Sequence, residues 1–159
     1  MVRKVLLVSC LVFVAALVGI FYATAPSDEE LIERALEEAI VASKEGKPGG
    51  VLEHLSRSFV YDGQPVFDWS KVSQYIKVAK PVLEVDANRP QIDGDQAIIV
   101  AHIEFKMGFQ ALSFDESIDN VEIRFGKESG TRWLIFPSPQ WKITEVSTPE
   151  SGELPSFAQ

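Results

Sequence analysis

The chain has two histidines, and any imidazole chemistry has to start from them. His102 lies where Ile99, Ala101 and Ile103 alternate, and it takes the opposite parity together with Glu104 and Lys106. On a strand, that parity places it on the solvated face. His54 borders the apolar stripe of a predicted helix. No HExxH or similar ligand spacing joins either histidine to a carboxylate. A Ser/His/Asp set, a glycine-rich phosphate loop and a CxxC pair are all missing. Asp93-Gly94-Asp95 carries two carboxylates, but its spacing is that of a hairpin turn rather than a calcium loop. The single cysteine, Cys10, sits in an apolar run, so the remaining chain has no disulfide or thiolate metal site. The motifs therefore indicate no catalytic residue, no metal and no cofactor. Three tryptophans and ten phenylalanines are read as core.

Charge narrows the partners. The formal net charge is −8, and beyond Arg3 and Lys4 there are 13 basic residues against 23 acidic ones. A body of that sign repels phosphate backbones, so nucleic acid is not an expected partner.

The elements that must position any site follow from periodicity. Ser27-Asp28-Glu29-Glu30 is a capping box, with serine at the cap and glutamate three residues on. The helix it starts carries Ile32, Leu36, Ala39, Ile40 and Ser43 on one stripe and stops at Gly46-Lys47-Pro48-Gly49-Gly50. A second short helix is predicted over 51–57, burying Val51, Leu52 and Leu55, with a turn at Tyr61-Asp62-Gly63. A third begins with Asp68 as cap, aligns Trp69, Val72, Ile76 and Ala79, and ends at Pro81. The period then changes to two. Residues 82–89 read as extended, and Ala97 to Met107 alternate over the longest strand signal in the chain. Val121, Ile123 and Phe125 alternate next; a turn is predicted at 127–130, a return at 133–136, an interruption at Pro137-Ser138-Pro139 and a last strand at 141–146.

The N-terminus carries a separate signal. Residues 5–22 form an uncharged run of 18. As a helix it would span roughly 27 Å, near the ~30 Å hydrocarbon core of a bilayer. Arg3 and Lys4 precede it and acids follow, so the positive end is expected in the cytoplasm and the body outside it. Ala23-Thr24-Ala25 has the small residues of a cleavage site, but Pro26 would follow the cut, and the run exceeds a signal-peptide core. A retained anchor is the expectation. The tripeptide before Cys10 matches a lipobox by letter but falls too early in the run. The expected organisation is an anchor at residues 1–25, a domain at 26–147 and a disordered tail at 148–159.

Helices first and strands afterwards make an α+β protein: a transmembrane helix, then three helices packed on a curved antiparallel sheet. The order resembles the nuclear transport factor 2-like superfamily, also called SnoaL-like or cystatin-like roll domains. The likeness is carried by Val51-Leu52-Glu53-His54-Leu55-Ser56-Arg57-Ser58-Phe59 followed by Gly63, and by the closing Trp141-Lys142-Ile143-Thr144. It implies a cone whose sheet wraps the helices around an apolar pocket, with Tyr61, Asp62, Trp69 and Tyr75 as candidate lining residues. Some members are isomerases or dehydratases, and an acid pair such as Asp62 with Asp86 would supply a base if both faced that pocket. The resemblance also admits a structural role, because inner-membrane assembly proteins of type IV secretion systems combine one N-terminal span with such a domain. The expected function is a membrane-tethered extracytoplasmic small-ligand-binding or protein-interaction module, the alternatives being an isomerase or dehydratase and an envelope subunit. A homodimer through the outer sheet face is a further expectation, with Ile98 and Val100 sharing the parity of His102.

Overall fold

The computed structural model describes residues 26–109, 112–132 and 136–149, with side chains outside 107–114 and 130–139. Helix α1 (Asp28–Lys44) begins with both halves of the capping box in place: Ser27 Oγ accepts from the Glu30 amide, and the Glu30 side chain takes the Ser27 amide. Helix α2 (Pro48–His54) follows after a turn in which Gly46 takes a φ of 68°. Strand β1 (Leu55–Tyr61) turns through Asp62-Gly63 into β2 (Gln64–Pro65). Both turn residues have positive φ, the geometry that suits a tight hairpin. Helix α3 (Trp69–Ala79) is capped by the Asp68 carboxylate on the Lys71 amide, and Lys80 leaves it in the left-handed region before Pro81. Strands β3 (Val82–Ala87), β4 (Gln91–Asp93), β5 (Gln96–Phe109), β6 (Leu112–Arg132) and β7 (Phe136–Ser147) complete the chain.

The seven strands form one curved, open sheet in the order β2-β1-β7-β6-β5-β3, with β4 also on β5. The sheet is mixed, not purely antiparallel as the sequence predicts, because β1 runs parallel to β7. The concave face carries Ala97, Ile99, Ala101, Val121, Ile123, Phe125, Trp141 and Ile143, all buried, and Ile32 of α1 closes on them. Each Å² of apolar surface this layer removes from water contributes about 25 cal/mol.

Several sequence expectations are corrected. The second helix ends at His54 and not at residue 57, because the chain from Leu55 onward is captured as a strand by β7. No turn interrupts 127–130, since β6 runs on to Arg132 opposite β7. Pro137 and Pro139 lie within β7. They share one parity, so their missing N–H donors face one side, left open because β1 reaches β7 only from Ile143 on. The buried stripe of α1 is rotated toward Ala35 and Ala42, leaving Leu36 and Ile40 half-buried. The predicted anchor at residues 5–22 and the tail beyond residue 149 lie outside the described residues. Among the described residues no helix is long and apolar enough to cross a membrane.

Candidate functional site

The predicted lining residues separate into two groups. Trp69 starts α3 and packs on Phe59 of β1, with ring centroids 6.3 Å apart. Tyr61 is half-buried, and burial and the Asp62 carboxylate push its hydroxyl up to about 12. Burial likewise raises Tyr75 on α3 above an ordinary tyrosine. Neither phenol is therefore a ready base near neutral pH. Asp62 is a staple: its carboxylate accepts from the Thr148 amide at 2.7 Å and from the Thr148 hydroxyl at 3.0 Å. Thr148, the first residue of the predicted tail, is thereby tied to the β1–β2 turn.

The acid pair does not form. Asp62 follows β1 in its turn and Asp86 lies on β3, four strands away across the sheet, roughly 19 Å at normal strand spacing. Asp86 also shares the outer parity of His102, its register partner. His102 does face outward, where its Nδ1 lies 2.6 Å from Asp119. Lys106 pairs there with Glu84 and Glu104, and Arg124 with Glu122 and Glu145. This outer face is a mesh of exposed charges, whose pairing water and salt screen.

His54 is a packed residue joining α2 to α1, with Nε2 at 3.2 Å from Glu38. Burial depresses its basicity, and Glu38 restores part of it. A histidine whose folded value is depressed destabilises the fold when it must charge. Stability is therefore full above the unfolded value of 6.5 and declines as pH falls from there toward the depressed folded value. The melting temperature should be lower at pH 5.5 than at 7.5, and His54→Gln should shrink that difference in circular-dichroism melts.

A triad not anticipated from the sequence ties α1 to the sheet. Asp28 accepts from the Trp141 indole at 2.9 Å and from Lys127 Nζ at 3.0 Å, and Lys127 lies 5.2 Å from the Trp141 ring centre. The indole bond, more than Lys127, holds the Asp28 carboxyl below its ordinary value. The acid-rich first turn of α1 is the visible sequence signal, but its partners stand 99 and 113 residues away.

One concavity among the described residues lies elsewhere. A groove of about 230 Å³ runs between α1 and the β3 edge, lined by Glu33, Leu36, Glu37, Ile40, Val41, Val85, Ala87, Asn88 and Ile99. Its base is aliphatic, and Glu33 and Glu37 are exposed on its rim. None of Tyr61, Asp62, Trp69 and Tyr75 lines it. Nothing in the sequence marks it, because Leu36 and Ile40 have the spacing of a core stripe. The volume matches roughly seven or eight water molecules of liquid, enough for a small apolar group. Among the described residues no cluster of three His, Cys, Asp or Glu could hold a metal ion.

No protein-family model and no curated protein matches the chain. Solved structures do. A nuclear transport factor 2-like protein of unknown function in nutrient uptake from Rhodospirillum rubrum superposes with a TM-score of 0.56 at 17% identity, over 73% of this chain and 94% of that one. A conserved protein from Planctomyces limnophilus gives 0.56 at 12% identity, over 76% and 94%. A nuclear transport factor 2-like protein from Cytophaga hutchinsonii gives 0.52 at 14%, over 77% and 97%. The chain thus has the nuclear transport factor 2-like fold, an α+β cone of three helices on a curved mixed sheet.

Proposed function

We propose that this domain is a non-catalytic binding module whose site is the groove between α1 and β3. The observation that carries the reading is the groove's construction: an aliphatic base of Leu36, Ile40, Val85 and Ile99 with its carboxylates outside on the rim. Such a site holds an apolar group by excluding water and recognises polarity only at its mouth. Catalysis in the cone is the weaker reading. No described contact joins Glu33 or Glu37 to a histidine or tyrosine that would serve as a partner in proton transfer.

Indole is a suitable neutral probe. In amide NMR titrations it should perturb the amides of Ile40, Val85 and Ile99 saturably, and Ala87→Trp, which fills the groove, should abolish the response. An absence of saturable shifts at these amides would overturn the reading.

The apolar run at residues 5–22 and the basic residues before it support placing the groove outside the cytoplasm, held near a bilayer. A phosphatase domain that is active only outside the cytoplasm, fused after Gln159 and expressed in a bacterium, should be active. Inactivity of a stably produced fusion would reverse this topology.

A further inference from the structure

Strand β3 is an end of the sheet, and no other strand among the described residues pairs with its outer side. The register shows which backbone groups are open. The Asn88 amide donates to Val100 O at 3.1 Å, and the pairing continues as Asp86 with His102 and Glu84 with Glu104. Hydrogen-bonded and non-bonded pairs alternate along an antiparallel ladder. Glu84 and Asp86 therefore turn their N–H and C=O groups to β5, and Leu83, Val85 and Ala87 turn theirs away. Pro81 has this same outward parity, and α1 satisfies its carbonyl through Ser43 Oγ at 3.1 Å, in a buried bond. Beyond Pro81 no hydrogen bond among the described residues covers the edge in this way.

This open edge and the groove are one surface. Val85 and Ala87 line the groove with their side chains while their backbone groups form the edge. A strand laid beside β3 would direct every second side chain over the groove. Its other side chains would stand over the outer face, beside Glu84 and Asp86. Proteins usually guard such an edge with charge or proline, and here Pro81 and Pro90 bound a run that carries Glu84 and Asp86 and, at its far end, Arg89, which leans toward Glu29. Lys106 pairs with Glu84, whereas Glu33, Glu37 and Asp86 have no cationic partner among the described residues. The charge selects the occupant. A second copy, pairing β3 with β3, would set Glu84 and Asp86 against themselves in a chain already at −8. A basic strand meets complementary charge on both of its faces.

We propose that the β3 edge accepts an extended segment of a partner protein, alternating apolar and basic residues, as an added strand with an apolar side chain in the groove. The proposal rests on the groove being a binding site and specifies its ligand. The run available between Pro81 and Pro90 sets a segment of about six residues, roughly 20 Å long.

The test uses the full chain in a non-ionic detergent with two capped peptides, Lys-Leu-Lys-Val-Lys-Leu and its charge-reversed form Glu-Leu-Glu-Val-Glu-Leu. The basic peptide should slow amide hydrogen exchange at Leu83, Val85 and Ala87 and leave Glu84 and Asp86, already bonded to β5, unchanged. The acidic peptide should do neither. Val85→Pro removes one edge donor at a position where an edge strand tolerates proline, and it should abolish the protection. If that variant does not fold, Glu33→Lys with Glu37→Lys, both on exposed side chains, should weaken the basic peptide roughly three- to tenfold. Equal binding of the two peptides, or binding without protection of the three edge amides, would overturn the proposal. If indole saturates the groove but the peptide gives no protection, the strand-addition proposal alone falls. If indole also fails, both readings fall.

Discussion

Replacing Phe125 by alanine should remove about 3–5 kcal/mol of stability, the usual cost of deleting a buried aromatic side chain. Phe125 is 1% exposed, near the centre of the sheet, with Ala97 opposite it on β5 and Ile143 on β7. Ile99, Ile123, Trp141 and Ile32 of α1 belong to the same cluster, so a void there is walled by two strand neighbours and a helix and collapses poorly. A domain of ordinary stability holds about 5–15 kcal/mol in all, so the variant should be partly unfolded at room temperature or close to it. Phe125→Leu keeps most of the volume and should cost about 1.5 kcal/mol or less. Urea titration separates the outcomes: the midpoint should fall steeply for alanine and slightly for leucine, with the slope unchanged. Equal midpoints for both would show that this cluster does not hold the helix to the sheet.

Asp28→Ala should give the second large effect, about 2–3 kcal/mol. Trp141 is 3% exposed, and its indole N–H has Asp28 as its described acceptor. An orphaned buried donor costs about 1–3 kcal/mol, and losing an acidic residue from a helix's first turn adds about 0.3–1 kcal/mol. Trp141→Phe removes the donor instead, so the double variant should lose less than the sum, with a coupling of about 0.5–3 kcal/mol. Additive losses would show that the bond is energetically idle. The pH dependence has a definite sign. The Asp28 carboxyl is held below its ordinary 3.8, so its contribution is complete above that value and is lost as pH falls through the lower folded value. Acid unfolding of Asp28→Ala should accordingly be shallower than that of the parent below about pH 4.

These two sites differ in how far they could be read ahead. Phe125 was visible, because Val121, Ile123 and Phe125 alternate and a two-residue period needs one buried face. Asp28 was visible only as a first-turn acid. Its partners Lys127 and Trp141 meet it because β6 and β7 pair beneath α1, and local pattern carries no information about a contact 113 residues apart. The groove was illegible for a related reason. Tyr61, Asp62, Trp69 and Tyr75 cluster in sequence around the β1–α3 connection, whereas the groove combines one flank of α1 with a strand more than 40 residues later. Leu36 and Ile40 have the spacing of core residues, and only the rotation of α1 toward Ala35 and Ala42 leaves them lining a groove.

The features legible from local sequence are those that short-range physics controls. Local sequence placed the capping box at Ser27 and Glu30, the Asp68 cap, the stop at Pro81, the Asp62-Gly63 and Asp93-Gly94 turns and the inward parity of the long strand, each set by a few neighbouring residues. It also marked the nuclear transport factor 2-like order of elements. Tertiary structure decided the rest. The residues after His54 became a strand because β7 offers an open parallel edge; the prolines of β7 were admitted because, among the described residues, β1 leaves that side of the strand unpaired before Ile143. The groove exists because the sheet ends at β3 while α1 lies only partly over that edge. A strand's partner, and whether it has one, depends on the other strands' positions, and a local window of sequence does not contain them.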